Sequence, residues 1–344
     1  MTDTMLVEPS RRTAAQRAMS TIFTSRESAI ALVLILVIAA ATLNTRSFLF
    51  SDNSWRDLLL APSILLLLAI GQAVVIITRN VDLSVGSTLA LTAYLTGRLF
   101  VDNPGIPIIV VFAIGMLAGA GLGLINGLLV ALGKVPALVI TLGTLYIYRG
   151  VVLSWAGSDR INASDMPNDF LSLGTKTILT IPVLTIIALV VLGIVGYYLR
   201  TARGGRELYA IGSDPAAANL YGLKVRRRVI GAFVLCGSLA GLAGVVYAAR
   251  YGTISSGAGQ DIELQAVGAA VIGGVAIFGG SGSVWGAAIG AWLLITINRA
   301  LPILGVQDFW QQAVVGALIL GAIVLDRVLS ARRSRKLVEA RDAS

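Results

Sequence analysis

The sequence predicts an all-α membrane protein of about ten transmembrane helices, with pseudo-repeated halves and both termini in the cytoplasm. Three observations lead there. The 344 residues are 56% hydrophobic and only 13% charged, with a mean hydropathy of +0.84. A soluble domain carries about a quarter charged residues, so this chain has too little charge to coat a soluble fold. Apolar runs recur at about the 20-residue length that crosses a hydrocarbon core about 30 Å thick. The basic residues gather in an N-terminal arm, one internal loop and a C-terminal tail.

Taken in order, residues 1–28 form a polar cytoplasmic arm carrying Arg11, Arg12, Arg17 and Arg26. The run 29–44 is read as a retained first span, although Ala39-Ala40-Ala41 imitates a signal cleavage site. Further spans are expected at 58–78, 84–100, 106–132, 135–155, 178–198, 229–249, 263–279, 281–299 and 308–328, so the transmembrane domain covers 29–328. The basic loop 199–228 follows six spans. The basic tail 329–344, with Arg332, Arg333, Arg335, Lys336 and Arg341, follows four more. Even parity puts all three basic regions on one side, as the positive-inside rule requires. The longest outer loop, 156–177, sets Asp159, Asp165 and Asp169 against Arg160 and Lys176.

Glycines at 115, 119, 123 and 127, and at 286 and 290, have the small-xxx-small spacing that lets helix backbones approach in lipid. Residues 123–152 and 286–315 share a small-residue start, a proline near a turn and an apolar restart, an echo of the kind transporter repeats leave.

The most informative loop is 199–228. Counting Arg200, Arg203, Arg206, Lys224, Arg226, Arg227 and Arg228, seven cations face only Glu207 and Asp214. Inside it, Ser213 and Asp214 precede Pro215, Ala216, Ala217, Ala218, Asn219, Leu220, Tyr221 and Gly222. Asp214 suits an N-cap, Pro215 the first helical position and Gly222 a left-handed stop. A two-turn helix built on the cytoplasmic face presents a surface to another component.

A second polar cluster interrupts apolar sequence at 78–87, TRNVDLSVGS, which reads as a broken helix or a loop. Arg79 and Asp82 stand i, i+3 and can pair if the turn is helical. Ionisable groups near a membrane interior carry functional weight. Asp82 either caps the following span, gates, or touches substrate. Gln72, Asn126, Gln265, Gln311 and Gln312 can hydrogen-bond a polyol or simply bond neighbouring helices. Trp155, Trp285, Trp292 and Trp310 suit an interfacial belt or packing. Asp261 and Glu263, before an expected span on the outer side, either greet a soluble partner or stand as a solvated pair.

The chain contains one cysteine, Cys236, and no histidine, which excludes an internal disulfide and a Cys/His metal site. No phosphate-binding loop occurs: Gly127 and Gly133-Lys134 are one residue too far apart, and Val135 replaces the required hydroxyl. The net charge of +9 reads as topology signal and lipid head-group contact, not nucleic-acid binding.

Three stretches resemble the permease subunits of bacterial ATP-binding cassette sugar importers. These are the ribose, xylose, arabinose, galactose and rhamnose systems and the related importer of a furanosyl autoinducer. Residues 78–87 are similar to the family's Asp-Leu-Ser-Val-Gly-Ser signature, and 136–150 to its Thr-Leu-Gly-Thr segment, here Thr141 to Thr144. Residues 205–225 with 266–290 resemble the later loop and the glycine-rich pair of spans. The likeness runs from about residue 58 to 328 and leaves out the two ends. Ser213-Asp214 departs mildly from the Gly-Asn or Gly-Asp of relatives. Thr78-Arg79-Asn80 leans toward the rhamnose and autoinducer branches.

The resemblance implies an inner-membrane permease subunit that imports a monosaccharide or polyol-like solute. Its implied partners are a cytoplasmic ATPase holding ATP and Mg, an extracytoplasmic binding protein and a second permease subunit, either a copy or a close paralogue. The chain itself would bind no cofactor and catalyse no reaction. Residues 213–220 and Gly222 would form the coupling helix. Gln72, Arg79, Asn80, Asp82, Ser84, Asn126, Thr141 and Thr144 are the candidates for translocation path or gate. The alternatives are a branched-chain amino-acid permease of the same class, or an ATPase-independent secondary transporter or channel. The lack of intramembrane acid runs weighs against the latter.

Overall fold

The computed structural model describes residues 26–324, apart from positions 52, 134, 308, 309, 311, 315, 318, 319, 322 and 323. Most of the N-terminal arm, the basic tail, Lys134, Gln311 and much of the expected span 308–328 therefore lie outside the described residues. So does part of the second half of the sequence echo.

The described chain is helical almost throughout. Helix α1 (Arg26–Asn44) is followed by the short α2 (Ser47–Phe50) and α3 (Ser54–Leu60), then α4 (Ser63–Ile77) and α5 (Val85–Asp102). Next come α6 (Ile108–Gly133), α7 (Ala137–Ala156), a 3-10 turn (Ala163–Asp165) and α8 (Asn168–Ser172). Two-residue strands β1 (Thr177–Ile178) and β2 (Ile181–Pro182) pair antiparallel ahead of α9 (Val183–Thr201). The remainder is α10 (Arg203–Ser213), α11 (Pro215–Leu220), α12 (Val225–Tyr251), α13 (Ile262–Ile272) and α14 (Val284–Ile303).

Seven helical segments among the described residues are long and apolar enough to cross a membrane: 27–44, 54–77, 108–133, 137–156, 183–201, 225–251 and 284–303. This is an all-α membrane protein. Two expected spans take a different form. The stretch 84–100 is helical as α5 but is not among these seven: Ser87, Thr88, Thr92 and Thr96 lie buried along it, and Arg98 pairs with Asp102 near its end at 2.8 Å. The stretch 263–279 yields only the 11-residue α13, and the chain then opens into a glycine-rich loop, 273–283. Gly274, Gly279, Gly280 and Gly282 there have positive φ, which other residues adopt only with strain.

Every residue of α4 is buried. A helix apolar on all sides belongs at a centre, and α4 is packed by α9, α12, α13 and α14. The glycine stripe of α6 is spent on contact with α12. Gly119 lies against Gly237 and Gly241, and Gly123 against Phe233 and Gly237. A Cβ at Gly119 would stand 2.7 Å from the Gly241 Cα, so a larger residue would push the helices apart. Gly286 and Gly290 pack in the same manner against Gly273 and Ala269.

Candidate functional site

Central helix α4 stops at Ile77, and the chain turns back into the bundle before α5 begins. Arg79 makes that turn with a φ of 64°, a left-handed conformation that closes the helix end. The returning strand of backbone, 80–84, is the expected break. It is a loop, not a helical turn, so Arg79 and Asp82 do not pair as their spacing allowed.

Asp82 is buried, 1% exposed, and its carboxylate turns onward along the chain. Its Oδ1 accepts from the Ser84 backbone N–H at 2.9 Å and from the Ser84 hydroxyl at 2.7 Å. Asn126, from α6, donates through Nδ2 to the Ser84 Oγ at 2.7 Å and reaches Asp82 Oδ1 and Oδ2 at 3.3 and 3.4 Å. The Gln72 amide spans the Asp82 backbone, donating to its carbonyl and facing its N–H at 3.4 Å. Thr141, from α7, donates to the Val81 carbonyl at 3.1 Å. The structure thus brings together Gln72, Asp82, Ser84, Asn126 and Thr141, five of the residues proposed from sequence. Thr144 stays on its own helix, donating to the Thr141 carbonyl at 3.2 Å.

This knot joins α4, α5, α6 and α7 through fully paired polar groups. A buried carboxylate without donors costs several kcal/mol. Here hydrogen bonds hold it, since no cation pairs with it among the described residues. Tyr148, which sequence reasoning missed, completes the knot. Its hydroxyl lies 3.0 Å from the Leu122 carbonyl and 3.3 Å from Asn126 Oδ1, fixing the amide orientation. The signal was present as Tyr148-Arg149 inside an apolar run. Arg149 was missed as well: it donates to the carbonyls of Ser256, Ala258 and Gly259, tying α7 to the loop before α13.

Arg79 and Asn80 stand apart from the knot, at the end of the bundle. Asn80 bonds Thr78, at 2.9 Å to its carbonyl and 3.0 Å to its hydroxyl. Arg79 reaches across 133 residues of sequence to the carbonyl of Gly212, with Nε at 2.5 Å, and also donates to the carbonyl of Ser213. These are carbonyls of the last turn of α10, where a cation also complements the helix dipole. Gly280 donates its N–H to the Ile77 carbonyl at 2.9 Å, and the Tyr209 hydroxyl bonds the Gly282 carbonyl at 3.1 Å. Gly212 packs directly against Ile77 and Gly280. The end of α4, the end of α10 and the glycine-rich loop therefore form one backbone junction.

Helix α10 was expected as loop. Its glycines, Gly204 and Gly205, hid it, but they are what let it lie against Tyr198 and Leu199 of α9. Glu207 takes Arg203 at 2.8 Å and Arg228, the start of α12, at 2.5 Å. Hydrogen bonding from Arg228 first, then from Arg203, holds the Glu207 carboxyl below its ordinary range.

Past Ser213, Asp214 caps α11 as its residue type suggested. Oδ1 accepts from the N–H groups of Ala216 at 2.9 Å and Ala217 at 3.0 Å, with Pro215 in the first turn. Gly222 has a φ of 78°, and the next N–H, Leu223, returns to the Ala218 carbonyl at 3.0 Å. The helix turns Ala218 inward, while Leu220 and Tyr221 are 90% and 87% exposed. No group of three or more Cys, Asp or Glu side chains able to hold a metal ion occurs among the described residues.

Residues 55–323 match the family described as branched-chain amino acid transport system / permease component. An autoinducer 2 import system permease protein LsrC from Klebsiella pneumoniae is 36% identical over 94% of this chain and 93% of its own length. The protein of that name from an Enterobacter species is 38% identical over 77% of this chain and 76% of its own. The Escherichia coli protein is 35% identical over 80% of each. No solved structure matches the chain.

Proposed function

From the premise that this chain belongs to the branched-chain amino acid transport system permease-component family, and is a multi-pass protein of the bacterial inner membrane, we propose that it imports a furanosyl autoinducer or a related monosaccharide. The observation that carries the solute class is 36% identity across 94% of the chain to a permease of an autoinducer 2 import system. The family description also names branched-chain amino acids, which makes leucine the control.

In this reading the chain has ten spans with both termini in the cytoplasm. It works with a second permease subunit, an extracytoplasmic binding protein and a cytoplasmic ATPase that binds ATP and Mg and performs hydrolysis. Helix α11, with its cap Asp214 and stop Gly222, is the knob seated in the ATPase: it offers the exposed Leu220 on a short backbone braced at both ends. The knot around Asp82 is the gate. Arg79 is the link between them, because it holds the last carbonyls before Asp214 and begins the turn that carries Asp82. A push on α11 therefore reaches the break in α4 through hydrogen bonds, without travelling through lipid-facing helices. Only differential interaction with two states moves such an equilibrium. The junction of Ile77, Gly212 and Gly280 is the element that supplies two positions.

Reconstitution in vesicles with the binding protein and the ATPase tests this. Uptake of autoinducer 2 or a pentose that requires ATP on the ATPase side, with no uptake of leucine, supports the proposal. Uptake driven by an ion gradient without ATP, or selective uptake of leucine, overturns it.

A further inference from the structure

A groove of about 420 Å³ opens on the flank of the bundle at the end that carries the basic loop. Its floor is apolar and buried: Val74 of α4, Val195 of α9, Leu208 of α10 and Ala232 of α12. Its sides are open. Ile194 is 63% exposed, and nothing lies within 4 Å of where a Cβ on Gly231 would stand. At the mouth sit Arg227 and Arg228, consecutive residues in the first turn of α12.

The two cations differ in their obligations. Arg228 gives its Nε to Glu207 and is thereby fixed in orientation. Arg227 is exposed and has no hydrogen-bond or ion-pair partner among the described residues. Lys224 and Arg226 lie three residues and one residue before Arg227, and Glu207 is already shared between Arg203 and Arg228. Local positive charge is therefore in excess over a slot with greasy walls. Gly231 and Leu235 stand four and eight residues beyond Arg227 on the same helix, about 6 and 12 Å deeper along its axis. Charge at head-group depth above apolar walls at acyl depth is the complement of one kind of molecule.

We infer that this groove is a binding site for an anionic phospholipid, with the phosphate on Arg227 and Arg228 and one acyl chain laid along Gly231. Basic pockets between membrane helices on the cytoplasmic side take anionic head groups. The cationic mouth favours an anionic over a zwitterionic lipid, and the missing side chain at Gly231 makes the room. The site also bears on the proposed transport, because α10 and α12 form its walls on either side of α11. It rests on that reading only for the leaflet that supplies the lipid.

The test is native mass spectrometry of the full chain in detergent, titrated with phosphatidylglycerol or phosphatidylcholine of equal chain length. Phosphatidylglycerol should be retained preferentially. Arg227→Gln should weaken that retention by about fivefold, the contribution of one cation at an anionic surface. Gly231→Phe should abolish it with both arginines intact, since the ring fills the acyl slot. Glycerol phosphate, which has the anion without the chain, should not compete. Equal retention of the two lipids, indifference to both substitutions, or displacement by glycerol phosphate would overturn the inference. So would copy-to-copy crosslinking through Gly231→Cys in the lipid-loaded protein, which would put a second chain in the groove. Lipid retention is read without transport, so failure here is separable from failure of the transport proposal.

Discussion

Two aspartates perform the same local task at opposite extremes of environment. Asp82 accepts from the N–H of Ser84, two residues on, and Asp214 from the N–H groups of Ala216 and Ala217. Asp214 is the N-cap of the helix that follows it, whereas Asp82 lies two residues before Ser84, the N-cap of α5, and does not cap that helix. Asp82 is buried; Gln72 and Asn126, from two helices, meet its remaining groups, and Thr141, from a third, takes the adjoining Val81 carbonyl. Asp214 is exposed, and the helix it starts displays Leu220 to whatever lies outside. The same motif therefore locks the interior in one place and presents a contact surface in the other. Removing it should damage the fold at the first site and the coupling at the second.

The largest effect is expected inside. Asp82→Ala leaves the Ser84 N–H and the Ser84 hydroxyl without their acceptor, at about 1–3 kcal/mol for each orphaned group, while Asn126 keeps only Ser84 Oγ. The variant should lose expression or melt well below the parent in a detergent thermal-shift assay. Asp82→Asn keeps an acceptor oxygen for the Ser84 N–H and hydroxyl, and Asn126 keeps its bond to Ser84 Oγ, so it should fold and retain most transport. Near-complete loss of transport in well-folded Asp82→Asn would make the carboxylate itself a participant in gating or substrate contact.

Outside, the expected effect falls on coupling and spares the fold. Leu220→Glu should reduce transport by at least about tenfold, since an unpaired charge placed in a protein groove costs more than about 1.4 kcal/mol. The permease should stay monodisperse while the ATPase no longer copurifies. Unchanged transport and copurification would remove α11 from the interface. Asp214→Ala should cost only about 1 kcal/mol of helix stability, with a correspondingly partial loss of transport that Asp214→Asn restores.

The smallest expected effect is one of pH, at the brace between the two regions. Glu207 has its carboxyl depressed by Arg228 and Arg203, so its contribution is present above the ordinary carboxylate range and is lost as pH falls through the depressed value. Acidification through that range should loosen α10 from α12, read as faster hydrogen exchange in 203–213. Glu207→Gln should remove the pH dependence.

How much of this was legible in the sequence depends on the range of each interaction. The α11 helix was read in full, because Asp214, Pro215 and Gly222 act on backbone within a few residues of themselves. The spacing of Gly115, Gly119 and Gly123 announced close packing, though not that Gly237 and Gly241 would receive it. The knot was half legible: polar residues in apolar runs were flagged singly, and only folding joined them. Arg79 was misread because its nearest acid by spacing was Asp82. Its left-handed turn sends the side chain to carbonyls 133 and 134 residues away, a partner that no local pattern encodes. Helix α10 was missed for its glycines, and α13 was drawn too long because the apolar loop after it keeps the composition of a span.

The claim that the outer device drives the inner one is tested most directly at Arg79, in the reconstituted complex. Arg79→Ala should leave the ATPase bound and hydrolysing while solute uptake falls by about ten- to hundredfold, the loss of charge-assisted hydrogen bonds, with Arg79→Lys between the two. Transport at the parental rate in a folded Arg79→Ala complex would contradict the account.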